Sequence, residues 1–140
     1  MKTFIEFRST YEDDAQFDPD GNCLVPGGRG IMDAYVSWVR GRCERIDVVD
    51  QHSFYGWSVQ LKINDGWVWQ LIQNHDPWLL IAEARSIRIP FVNAKVVDAR
   101  LEESLSLFKG FLGHDDHLEF VAEHTRAEYQ ASSGRQSNEE

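Results

Sequence analysis

The fold is decided by residues Tyr55 to Glu83, which read YGWSVQLKINDGWVWQLIQNHDPWLLIAE. Between residues 57 and 64 apolar and polar residues alternate strictly, which is the period of a strand with one buried face. Turn residues follow at 64–66 and at 73–77, and each turn precedes another run of β-favouring residues. The stretch therefore predicts a three-stranded antiparallel meander whose tryptophans form the core of a small α+β domain.

The first turn decides which way the tryptophans face. A two-residue turn would place Trp67 and Trp69 on the polar face of the preceding strand. A three-residue turn, with Gly66 as its left-handed residue, pairs Ile63 with Trp67 instead and gathers the large side chains on one face. Because burying an aromatic side chain contributes a few kcal/mol, the sequence predicts the three-residue turn. The third run, Trp78 to Glu83, is apolar on both faces and predicts a central strand.

The remaining residues predict one more strand and three helices. Residues 3–8 alternate as a short first strand, and apolar residues recur at helical spacing from Ile31 to Ile46 and from Lys95 to Leu112. Asp115 or Asp116 is predicted to cap a last helix over residues 117–129. We expect the order β-α-β-β-β-α-α in a single domain of residues 1–130, with an antiparallel sheet, helices mainly on one face, and a flexible polar tail at 131–140.

The composition is that of a folded, acidic protein. The 42% hydrophobic content argues against disorder, and 23 Asp and Glu against 14 Lys and Arg give a formal charge of -9. Such a charge disfavours nucleic acid and anionic membranes and favours a basic protein partner, although it also serves solubility. No apolar run approaches the roughly 20 residues that span a bilayer, and Glu6 interrupts the start where a signal peptide is apolar. We expect a cytoplasmic protein.

No cofactor and no enzymatic activity are predicted. The two cysteines, Cys23 and Cys43, lack metal-type spacing and are expected to be free thiols. The densest group of potential metal ligands is the run from His114 to His117, with His114, Asp116 and His117 as candidate ligands. Its spacing matches no helical metal motif, and the aspartates suit a helix cap equally well, so the cap is the favoured interpretation.

A long acidic loop is predicted at about residues 10–29, where turn signals follow one another closely. Loops of this length are often functional. We expect its carboxylates to form the rim of a protein-binding surface, which would also need an aromatic or apolar centre. The rim candidates are Glu12, Asp13, Asp14, Asp18 and Asp20.

The loop ends at Pro26-Gly27-Gly28-Arg29-Gly30, just before the first predicted helix. Such a segment is typical of an anion nest, in which backbone amides at a helix N-terminus receive a phosphate or carboxylate. It lacks the nucleotide-binding glycine patterns, so a simple transition from loop to helix is the favoured interpretation. Arg29 remains a candidate exposed cation.

The turn at residues 75–78 contains the other candidate binding residues. His75 beside Asp76 could act as an oriented general base, but neighbouring extended residues point to opposite faces and Asp76 can instead fix the turn before Pro77. Trp78, at the mouth of a strand, is a candidate contact residue. The alternative to protein binding is a small-molecule-binding protein or minor enzyme with a pocket between helix and sheet, reached near His75, Trp78 and Arg29.

Four segments carry a resemblance to known proteins: VPGGRGI at 25–31, YGW at 55–57, WQL at 69–71 and DPWLL at 76–80. They resemble small uncharacterised bacterial proteins, some of them suspected immunity proteins, over roughly Val25 to Glu83. The resemblance implies an immunity- or antitoxin-like inhibitor of a bacterial toxin or enzyme. That family has no defined active site, so it assigns no functional residue. Self-association through a sheet edge, giving a homodimer, is a further hypothesis.

Overall fold

The computed structural model describes residues 2–85 and 94–138 of the chain. These residues form a mostly antiparallel sheet and helices, which confirms the predicted α+β class. None of the described helices is both long and apolar enough to cross a bilayer. In chain order the elements are β1 (Lys2–Ser9), β2 (Gln16–Phe17), β3 (Cys23–Val25), α1 (Arg29–Val39), β4 (Arg45–Ile46), β5 (Asp50–His52), β6 (Gly56–Ile63), β7 (Gly66–Gln73), β8 (Trp78–Arg85), α2 (Ala94–His114), β9 (Leu118–Thr125) and α3 (Arg126–Asn138).

The main sheet has the strand order β4-β6-β7-β8-β1-β9, and β5 pairs with β6 further along the same edge as β4. All of its pairs are antiparallel, while β2 and β3 form a separate small hairpin. The meander is β6-β7-β8. Strand β8 lies between β7 and β1, which confirms the central position predicted from its two apolar faces.

One sheet face is buried under α1 and α2. Phe7 of β1 packs edge-on against Phe108 of α2, with ring centroids 5.3 Å apart. Tyr35 of α1 meets the same Phe108 ring at 5.0 Å and the Phe111 ring at 5.2 Å. These side chains are buried, so the aromatic cluster fixes both helices on the sheet.

A polar link crosses this core. The Tyr35 hydroxyl donates to Gln70 Oε1 at 2.6 Å, and Gln70 Nε2 donates to the Ser104 carbonyl at 3.1 Å. All three residues are fully buried. Because a buried polar group without a partner is costly, this chain of hydrogen bonds ties α1, β7 and α2 to one arrangement.

The predicted three-residue turn between β6 and β7 is wrong. Asn64 and Asp65 form a two-residue turn with φ of 49° and 63°, and Ile63 pairs with Gly66. Trp67 lies opposite Lys62, so Trp67 and the neighbouring Trp69 occupy the sheet face that points away from α1 and α2. The expected gain from burying Trp67 and Trp69 under the helices therefore did not determine how β6 and β7 pair.

Contacts with α2 explain the observed turn. Arg100 donates from Nε and a terminal guanidinium nitrogen to the Asn64 carbonyl, at 3.0 and 2.8 Å, and Asn64 Nδ2 donates to Glu103 at 3.0 Å. The Arg100 guanidinium also packs against Gly66. Asn and Asp tolerate the left-handed region, and a turn of this type matches the twist of a hairpin.

Two predicted helices are also corrected. Helix α1 ends at Val39 rather than Ile46, because Gly41 adopts φ of 84° and the following Arg45–Ile46 segment pairs with β6. The last helix, predicted over 117–129, begins nine residues later, at Arg126, since Leu118–Thr125 forms β9 on the free edge of β1. Backbone hydrogen bonds offered by a neighbouring strand outweigh the helical spacing in both places.

Helix α3 begins later than predicted, at a capping box. Thr125 Oγ1 accepts from the Glu128 amide at 3.1 Å, and Glu128 Oε1 accepts from the Thr125 amide at 3.0 Å. These hydrogen bonds, chiefly the one from the Thr125 backbone, lower the pKa of Glu128. The helix continues to Asn138, where a flexible tail was predicted from residue 131. Its Tyr129 packs on Phe4 at 5.1 Å, so α3 covers part of the second sheet face.

Candidate protein-binding surface

The N-terminus of α1 is occupied by the carboxylate of Asp14. Its two oxygens accept from the Gly28 and Gly30 amides, each at 2.8 Å. Gly28 has φ of 104°, and a Cβ there would lie 2.9 Å from the Trp78 ring, so the position requires glycine. Residues 26–30 therefore do form an anion nest, but its anion belongs to the chain itself.

Two other loop carboxylates also bond to nearby backbone. Asp13 Oδ1 accepts from the Ala15 amide at 3.0 Å. Asp18 Oδ1 accepts from the amides of Asn22 at 2.8 Å and Asp20 at 2.9 Å, and the hydrogen bonds to Asn22 are the main reason that the pKa of Asp18 is lowered. Asp13, Asp14 and Asp18 thus shape the loop and its β2-β3 hairpin.

Three other carboxylates, unlike those of Asp13, Asp14 and Asp18, do not bond to the backbone of the described residues. The side chains of Glu12, Asp20 and Asp50 are exposed, and their carboxylates make no hydrogen bond or ion pair with any residue that the structure describes. They remain available to an external cation. The predicted rim therefore divides into structural and available carboxylates.

Two stretches of the sequence, residues 10–28 and 46–61, contain acidic residues without basic ones. Neither stretch contains a lysine or an arginine. Together they contain seven carboxylates, namely Glu12, Asp13, Asp14, Asp18, Asp20, Asp47 and Asp50. Asp47 shares a depression with Arg29, Arg40 and Arg45, so the attraction for a basic partner rests on the carboxylates of Glu12, Asp20 and Asp50.

The same two stretches carry most of the exposed apolar side chains. Seven large hydrophobic side chains are exposed in the described part of the chain, and only Val96 and Phe120 lie outside the two stretches. The other five are between 50% and 74% exposed. They are Phe17, Leu24, Val48, Phe54 and Tyr55. Exposed apolar groups within a charged rim are typical of protein-binding sites.

A side-chain amide joins the two stretches. Gln51 Nε2 donates to the Leu24 carbonyl at 3.1 Å and to the Ser53 carbonyl at 2.8 Å. The β2-β3 hairpin therefore lies directly beside the end of β5. We use the name acidic-apolar surface for Leu24, Phe54 and Tyr55 together with the carboxylates of Asp20 and Asp50.

The centre of this surface is a row of aromatic rings. Phe54 and Tyr55 lie 4.6 Å apart, Tyr55 and His52 lie 6.5 Å apart, and His52 meets Trp69 edge-on at 5.3 Å. The row leads from the loop before β6 onto the sheet face that points away from α1 and α2. Mutual contact holds these rings in place, so less conformational entropy is lost when a partner covers them.

Arg29 is not a free cation. Its Nε donates to Asp33 at 2.9 Å, and its guanidinium lies 4.7 Å from the centre of the Trp57 ring. Trp57 in turn donates from Nε1 to the Pro26 carbonyl at 3.0 Å. Arg29 therefore helps to hold the start of α1 against β6.

His75, Asp76 and Trp78 lie together in a shallow depression of about 320 Å³, which Arg8 and Asn74 also line. His75 and Asp76 are exposed, and no hydrogen bond joins them among the described contacts. Trp78 is half-buried, stacks on Phe7 and lies against the Gly28 backbone, as a structural side chain would. Arg29 lies over Trp57 instead, so the four predicted residues do not form one site.

The aspartate beside the candidate metal ligands closes the turn between α2 and β9. Asp115 accepts from the Tyr11 hydroxyl at 2.5 Å and from the His117 amide at 2.8 Å. Burial, followed by the contact with Asp115, raises the pKa of Tyr11 to about 12. The ring of His117 hydrogen-bonds Thr10 at 3.1 Å, while His114 lies against Trp38 at 6.3 Å.

A metal centre is not formed at this turn. Within residues 2–85 and 94–138, no three His, Cys, Asp or Glu side chains, including His114, Asp116 and His117, converge as a metal site requires. The cysteines are half-buried and free, and burial raises the pKa of the Cys43 thiol, which disfavours the reactive thiolate.

The sequence interpretation missed Leu24, Phe54 and Tyr55. A signal was available, since Phe54 and Tyr55 stand together just before Gly56, outside the alternating pattern and within a stretch that lacks basic residues. Neither a model of a known protein family, nor a curated protein, nor a solved structure matches the chain. The acidic-apolar surface must therefore be interpreted from its own chemistry.

Proposed function

We propose that the chain is an acidic protein-binding module that docks on a basic protein and inhibits it, in the manner of an immunity or antitoxin protein. The observation that carries the proposal is the coincidence of exposed apolar side chains and unopposed carboxylates on the same two stretches. We expect it to act in the cytoplasm.

The two parts of the surface have different physical roles. Phe54, Tyr55 and Leu24 supply apolar area that a partner pocket can desolvate, and such central aromatic residues carry most of the affinity in protein interfaces. The carboxylates of Asp20 and Asp50 supply long-range attraction, which raises the association rate with a basic surface. The formal charge of -9 adds to this attraction and makes it sensitive to salt.

Affinity capture tests the proposal. The tagged protein, incubated with bacterial lysate at low salt, is expected to retain a basic protein that added salt releases. Tyr55→Ala is expected to weaken binding by about 2 kcal/mol, or roughly 30-fold in Kd, as for a central aromatic contact. Val96→Ala is the control, because Val96 is also exposed but lies on α2, outside the acidic-apolar surface.

Charge substitutions separate steering from packing. Asp20→Asn and Asp50→Asn are expected to lower the association rate and its salt dependence while leaving dissociation nearly unchanged. Surface plasmon resonance with the captured partner measures both rates. Failure to retain any specific protein would refute the function, and equal retention by the Tyr55→Ala protein would show that binding uses a different surface.

A further inference from the structure

The two edges of the main sheet differ in kind. One edge is broken into β4, of two residues, and β5, of three residues, with the strongly exposed Val48 between them. The other edge is β9, an eight-residue strand that pairs with β1 along one side and with no other strand in the described part of the chain. A long edge strand presents backbone donors and acceptors that can pair with another strand.

A bulge changes the side-chain pattern of β9. Ala122 pairs with Glu6 and Phe120 pairs with Phe7, so Val121 is an extra residue. Glu119 lies opposite Arg8 and His124 lies opposite Phe4. Arg8 and Phe4 share one face of β1 because they are four residues apart. Glu119 and His124 therefore share a sheet face although their spacing is odd.

The opposite face shows the same symmetry. Phe120 pairs with Phe7 and Glu123 pairs with Ile5, and these two β1 residues both point toward the helices. A twofold rotation about a point between Val121 and Ala122 exchanges the position of Phe120 with that of Glu123. It also exchanges Glu119 with His124. Because of the bulge, the two residues of each exchanged pair lie on the same face of the sheet, so two copies of the strand can pair with each other.

We infer that β9 pairs antiparallel with β9 of a second copy of the chain, about a twofold axis between Val121 and Ala122. In this register each Glu119 lies opposite His124 of the other copy, whose Nε2 lies 3.4 Å from Glu6 of its own chain, so the carboxylate faces an imidazole instead of another carboxylate. Shifting the axis onto Val121 would set Glu119 against Glu123 and would also pair side chains from opposite faces.

The same pairing covers Phe120, which is 44% exposed in the single chain. It would lie opposite Glu123 of the second copy, whose carboxylate already accepts from Lys109 at 2.9 Å. The aliphatic parts of that ion pair offer apolar surface to the ring. Twofold pairing uses the long edge completely, and the opposite edge is short and interrupted, so assembly stops at a dimer.

The dimer leaves the acidic-apolar surface free, because β5 and β9 form opposite edges of the sheet. Each assembly would present that surface twice. The two interactions respond to salt in opposite directions: salt screens the repulsion between two chains of charge -9 and strengthens the dimer, but it weakens attraction to a basic partner.

Sedimentation velocity over a concentration series tests the dimer. The wild-type chain is expected to pass from its 16.2 kDa monomer to twice that mass as concentration rises. Phe120→Glu places carboxylates opposite Glu123 and is expected to remain monomeric. Phe54→Glu is the matched control, since Phe54 is 58% exposed at the far side of the sheet, and it is expected to dimerise like the wild type.

Three results would overturn the inference: a wild-type chain that stays monomeric, a Phe120→Glu protein that still dimerises, or a dimer lost only in Phe54→Glu. Hydrogen exchange in the wild-type chain provides a measurement that needs no substitution. Amides of Leu118–Thr125 are expected to exchange more slowly at high concentration. If β5 rather than β9 became protected as concentration rises, the dimer would form through the opposite edge of the sheet and the inference would be wrong.

Discussion

Replacing Asp14 with alanine tests the division of the acidic loop into structural and available carboxylates. Asp14 accepts two backbone hydrogen bonds of 2.8 Å at the start of α1. The control residue is Asp20, whose carboxylate makes no hydrogen bond or ion pair with the described residues. The free energy of unfolding is therefore expected to fall in Asp14→Ala and to stay within about 0.5 kcal/mol of wild type in Asp20→Ala.

The magnitude follows from the geometry of the site. Two buried hydrogen bonds to a charged acceptor would contribute about 3–6 kcal/mol. Asp14 is exposed, however, so water can replace it at the Gly28 and Gly30 amides, and the range of about 0.5–2 kcal/mol for helix caps applies. Because both oxygens are used and the charge faces the helix N-terminus, we expect a loss near the top of that range, about 2 kcal/mol.

Urea denaturation followed by circular dichroism measures the change. The midpoint is expected to fall without a change in the m-value, and the thermal midpoint to fall by about 2–4 °C for each kcal/mol. Asp14→Asn keeps one acceptor oxygen and is expected to lie between alanine and wild type. If Asp14→Ala leaves stability unchanged but weakens partner binding, Asp14 is a contact residue and the structural assignment is wrong.

Three further expectations concern the core and the turns. Tyr35→Phe removes the donor to buried Gln70 Oε1 and should cost about 1–3 kcal/mol, and equal stability to wild type in urea would contradict the buried link. Gly56→Ala would place its Cβ 2.0 Å from the Ile72 carbonyl oxygen, so soluble expression and melting temperature should fall sharply. Tyr11 has its pKa raised from 10.0 to about 12, so its contribution to stability is complete below pH 10 and is lost as pH rises through about 12; a phenolate absorbance titration should lose that step in Tyr11→Phe.

Local patterns in the sequence were sufficient for the class of fold. Strict alternation from Trp57 to Ile63 and the apolar run of β8 identified a meander with a central third strand, because side-chain period and burial are properties of each strand alone. The helical spacing of residues 95–112 likewise predicted α2, which spans Ala94–His114. Fold class follows from such periods.

The candidate site was predicted less well, because charge in a sequence does not reveal which carboxylates are already bonded. Asp14 and Asp18 were predicted as rim residues, yet Asp14 accepts from the Gly30 amide of α1, sixteen residues away, and Asp18 closes its own turn. The aromatic centre was missed because the exposure of Phe54 and Tyr55 depends on whether other parts of the folded chain pack over them, and none of the described parts does so fully.

The sequence by itself determined the elements whose pattern is local: the antiparallel meander, the position of β8, the amphipathic α2 and the acidic character of two stretches. Only the tertiary structure decided the turn at Asn64-Asp65 and the strand at Leu118–Thr125. The physical reason is the same in both cases. A turn held by Arg100 and a strand held by the edge of β1 depend on hydrogen-bonding partners that are distant in the chain and become adjacent only on folding.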